Sequence, residues 1–100
     1  MSKNISFDSF KLSDLLYTKF SLVDQFETDI SATENNLREY TERELERLAE
    51  IRQEHSELSE SELNKYISDD WRLATIRETI RRYNARIYLL KILSENVVNI

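Results

Sequence analysis

From Leu12 to Val97 the apolar residues recur mostly three and four positions apart, the interval that gathers side chains onto one side of a helix. Leu12, Leu15, Leu16, Phe20 and Val23 make one stripe, with Ser13 and Asp14 suited to its first turn, where a side-chain oxygen accepts an orphan N–H. A narrower seam runs through Leu37, Tyr40, Leu45, Leu48, Ile51, His55 and Leu58 in an otherwise charged segment. A third runs through Leu73, Ile76, Ile80, Tyr83, Ile87, Leu90 and Val97, heptad-like with a gap at Ser94. These stripes predict helices over about 12–22, 33–57 and 61–97. Residues 1–11 carry Ile5, Phe7 and Phe10 without clear period and read as an irregular arm.

Turn signals divide the stripes. Ser59-Glu60-Ser61-Glu62 has the form of a capping box, with Leu58 before it as a hydrophobic staple. Ser31-Ala32-Thr33-Glu34 has the same form, and a break between the first two helices is expected within residues 21–33. Ser68-Asp69-Asp70 could interrupt the third helix and cap a new one at Trp71. The expected fold is therefore all-α: a short first helix plus a long antiparallel, coiled-coil-like hairpin, in one domain over 12–100. The first helix is expected at the end of the hairpin where residues 85–98 lie.

Composition reinforces this reading. The 100 residues include no Gly, no Pro and no Cys. Tight hairpin turns between strands rely on Gly and Pro, whereas a few helix connections can be made from Ser, Asn and Asp. Glycine loops that cradle phosphates are excluded, and so are thiolate chemistry and Cys-ligated metals. No apolar run is long enough for a signal peptide or a membrane span, which makes a cytoplasmic location the expectation.

Charge is distributed unevenly. The net charge of −5 divides into −2 over residues 1–33, −6 over 34–62 and +3 over 63–100. Glu34–Arg38 and Glu39–Arg43 are i,i+4 pairs in the favourable order. A hairpin turning near residue 59 would bring Arg72 toward Glu46 and Arg77 toward Glu42, leaving Arg81, Arg82 and Arg86 as a basic patch. Glu42, Glu46, Glu50, Glu54 and Glu57 could instead present an acidic face that mimics nucleic acid.

Catalytic constellations are not met. His55 is the single histidine, and a di-iron Glu-x-x-His motif would need a carboxylate where Arg52 stands. The carboxylates are spread along a solvated helix, without the desolvation that separates the pKa values of a catalytic pair. The chain is expected to be non-enzymatic, with no metal, no cofactor, no small-molecule substrate and no membrane partner.

The last segment is the most telling. From Ala85 to Val98 apolar residues surround nearly the whole helix axis, whereas a surface helix is apolar over a stripe little wider than about 100°. Tyr88, Leu89, Ile92 and Leu93, with Trp71 and Tyr83 as aromatic anchors, are the expected interface with a protein partner or a second copy, most simply a homodimer. The expected function is protein–protein interaction, as a self-associating adaptor or a small regulatory or inhibitory subunit. Two alternatives stand beside it: an acidic nucleic-acid mimic that inhibits a DNA- or RNA-binding protein, and a nucleic-acid-associated regulator using the Arg-rich last helix.

Overall fold

The computed structural model describes residues 2–99, with side chains described from Leu12 to Asn99. Three helices follow one another: α1 (Ser2–Glu54), α2 (Glu60–Asp69) and α3 (Trp71–Val98). They form an antiparallel hairpin in which α1 packs along α3 and α2 closes the bend. The rod measures 84 × 17 × 16 Å. No helix among the described residues is long and apolar enough to cross a membrane.

The register is an uninterrupted heptad pattern. On α3 the inward residues are Leu73, Ile76, Ile80, Tyr83, Ile87, Leu90, Ser94 and Val97, all buried or half-buried. On α1 they are Val23, Phe26, Ile30, Thr33, Leu37, Tyr40, Glu44, Arg47 and Ile51. Strict alternation of three and four keeps both rows facing one another along the hairpin. Tyr40 meets Tyr83 edge-on with ring centroids 5.6 Å apart, and Arg77 Nε donates to Glu44 Oε2 at 3.1 Å. These two contacts set the offset between the arms.

Four sequence expectations are corrected here. The break anticipated within residues 21–33 is absent, and α1 runs straight through. Ser31, the cap of that box, is exposed in mid-helix, and Thr33 is buried in the seam, its Oγ1 donating to the Asp29 carbonyl at 2.7 Å. A hydroxyl satisfied by its own helix needs no cap, and without Gly or Pro nothing forces a stop. The expected irregular arm over residues 1–11 is helical from Ser2 onward, and the side chains of Phe7 and Phe10 lie outside those described. The first stripe therefore does not fold back over residues 85–98; it extends beyond them. In the second seam Leu45 points to solvent, and the inward places go to Glu44 and Arg47, each held by a partner across the hairpin.

The bend is built as the capping signals indicate. Ser59 caps α2, its Oγ accepting from Glu62 N–H at 3.4 Å and donating to Glu62 Oε1 at 3.2 Å. The Asp70 option is also realised: extended backbone at that residue separates α2 from α3, and its Oδ1 accepts from Leu73 N–H at 2.8 Å. Extra chain spent in this corner moves the register, so Arg77 reaches Glu44 rather than Glu42. Arg72 lies over the Trp71 ring, 5.5 Å from its centroid, and not on Glu46.

Inside the corner, Ile51, Leu63 and Leu73 form the most deeply buried cluster, with Leu48 and Ile67 packed against it. Leu73 is completely buried. Removing its side chain leaves a cavity between all three helices, so Leu73→Ala should cost about 2–4 kcal/mol. Urea titration followed by circular dichroism measures this; a loss under about 1 kcal/mol would mean that the corner is not the main core.

Candidate interaction surfaces

Two apolar surfaces lie uncovered toward the open end of the hairpin. The first arises because the arms are unequal. α1 spans 53 residues and α3 spans 28, so α1 outruns α3. The seam of α1 continues past the end of α3 through Leu12, Leu16 and Lys19, with Leu15 and Leu22 beside it. These residues and Val97 enclose an open apolar groove. Leu12, Leu15, Leu16, Phe20 and Leu22 are all exposed, Leu15 at 65%.

The second surface is the outward side of α3. Tyr88 and Leu89 are 66% and 58% exposed, and Ile92, Leu93 and Val98 are exposed with them. The heptad seam uses Ile87, Leu90, Ser94 and Val97, which leaves this second row pointing away from α1. Four of the six residues expected at an interface are thus brought together on one face. The other two lie elsewhere. Tyr83 is half-buried against Tyr40, inside the seam. Trp71 is 72% exposed at the start of α3, about 25 Å along the helix from Tyr88.

The charged candidates are partly engaged. Arg81 and Arg82 both reach Glu78 one turn back on their own helix, at 2.7 and 3.4 Å, with most of each side chain in solvent. Arg86 is exposed alongside them. Glu42, Glu46, Glu50, Glu54 and Glu57 are all exposed, but Arg47 draws two of them inward, Glu50 at 2.9 Å and Glu54 at 3.8 Å. Of the two i,i+4 pairs, Glu39–Arg43 is formed at 2.7 Å, with Arg43 also over the Tyr40 ring. His55 stacks on Tyr66 with centroids 3.9 Å apart and is half-buried at the bend, a packing role.

What sequence reasoning missed is the groove. Its residues stood out as a helical stripe, but not as one without a partner. The unequal arm lengths carried that signal. Arg47 was missed too: its side chain is 15% exposed and sits at the centre of the corner's charge network, with Asp70 12% exposed. Arg47 Nε donates to both Asp70 oxygens at 3.2 Å.

No family model matches this chain, and neither a curated protein nor a solved structure matches it.

Asp70 therefore serves twice, as the cap of α3 and as the acceptor for Arg47. The Arg47 guanidinium, and then the Leu73 N–H, hold its carboxyl below the ordinary carboxylate range, while Arg47 is raised still further above neutrality. The stabilisation from a depressed carboxyl is complete above the free-acid value, about 3.9, and drains away as pH falls through the folded-state value. Asp70→Asn keeps an acceptor for the cap but removes the charge. Urea midpoints measured from pH 6 down to pH 2 should fall more steeply below pH 4 for the native chain than for Asp70→Asn. Parallel curves would remove Asp70 from the acid response.

Proposed function

We propose that this chain is a non-enzymatic protein–protein interaction module, a self-associating adaptor or small regulatory subunit that works through the open end of its hairpin. The observation that carries this reading is that two apolar surfaces, the row Tyr88, Leu89, Ile92 and Leu93 on α3 and the groove on α1, are both left exposed. Fully burying one Leu or Ile side chain contributes about 1.5–3 kcal/mol, so several left in water together favour association strongly. Large apolar patches on a small domain mark sites of contact with other proteins.

The competing readings rest on charge and make opposite forecasts. Binding by an acidic face to a basic protein, or by Arg81, Arg82 and Arg86 to nucleic acid, weakens steeply as salt rises. Apolar association does not. Light scattering at low and high salt should give a mass above the monomer in both, and Leu89→Asp or Leu93→Asp should return it to the monomer. A monomer at both salt concentrations, or a salt-sensitive shift of DNA in a gel, would overturn this reading.

A further inference from the structure

We infer that the groove on α1 is filled by the end of α3 from a second copy, in a reciprocal head-to-head dimer. The inference rests on the self-association reading above and specifies its geometry. In this arrangement the two α3 helices abut end to end, and the two α1 helices lie antiparallel on either side of them. Each α1 covers its own α3 with residues 23–54 and the partner's α3 with the segment that overruns it.

Three observations support this. The first is length. The part of α1 before Val23 offers a helical track of about 32 Å, and the exposed stretch of α3 from Ala85 to Val98 spans about 20 Å, so the tail fits within the track. The second is spacing. The unpartnered seam on α1 is Leu12, Leu16 and Lys19; the outward row on α3 is Tyr88, Ile92 and Glu95. Both step by four and then three. In the dimer α1 and the partner's α3 run parallel, so the rows stay in phase and place Leu12 on Tyr88, Leu16 on Ile92 and Lys19 on Glu95. Lys19 lines the groove half-buried, and opposite charge on the facing position is what such a lysine needs.

The third is charge. Head-to-head overlap sends the two −6 blocks of residues 34–62 to opposite ends. A parallel side-by-side dimer would stack −6 upon −6. The two-fold symmetry makes both contacts identical, as a closed homodimer requires.

The test exploits the absence of cysteine from the chain. Within one molecule Leu12 and Tyr88 are about 35 Å apart along the rod, given the Tyr40–Tyr83 register. Leu12→Cys and Tyr88→Cys chains are mixed, treated with a short bismaleimide and resolved by mass. A linked heterodimer at high yield is expected, and the same from Leu16→Cys with Ile92→Cys should either first substitution disturb folding. In parallel, sedimentation is run on Lys19→Glu, Glu95→Lys and the double variant. Each single reversal should weaken the dimer about two- to five-fold, and the double should restore it. Dimers that do not link at either pair, or singles that weaken without rescue, overturn this geometry and leave self-association standing. A chain that sediments as a monomer at every concentration overturns both.

Discussion

A single seven-residue repeat organises this protein, and everything else follows from how far each helix carries it. On α3 the repeat runs from Leu73 to Val97 and then the helix ends at Val98. On α1 the same repeat continues well beyond the point where α3 stops. Where the two rows face each other, side chains interlock and water is excluded; where one row has no opposite number, apolar surface stays wet. The hairpin is thus both a stable rod and an incomplete one.

The bend determines where that incompleteness falls. Ile51, Leu63 and Leu73 anchor it, and Arg47 locks it by holding Asp70, which in turn starts α3. The seam at this end admits charge only where a partner answers it, Arg47 to Asp70 and Glu44 to Arg77. A half-buried charge pair adds little net stability but penalises every register that leaves either member alone. The corner therefore fixes the sliding of α3 along α1, and with it the length of α1 left over at the far end.

The surplus apolar surface has a definite form. Tyr88, Leu89, Ile92 and Leu93 point away from α1, while Leu12, Leu15 and Leu16 point toward the place a longer α3 would occupy. Surfaces on two different sides of a rod cannot satisfy each other within one chain. They can do so between chains, because a two-fold operation exchanges the sides. The acidic middle of the sequence favours the same arrangement, which keeps its two copies apart.

Much of this was legible in the residues alone. The helical class, the antiparallel hairpin, the Ser59 cap and the outward row on α3 all follow from period and from capping chemistry, which are local properties of the chain. The Asp70 interruption was legible as an option. The continuity of α1 was not, because Ser31-Ala32-Thr33-Glu34 can start a helix or lie inside one, and only the neighbouring helix, by burying Thr33, settles which. Nor was the inward turn of Glu44 and Arg47 in place of Leu45, since their partners lie 33 and 23 residues away. Sequence by itself determined which surfaces are apolar, because side-chain hydrophobicity and helical period need no distant information. Tertiary structure decided which of those surfaces are covered, because coverage depends on register, and register is a property of the two arms together.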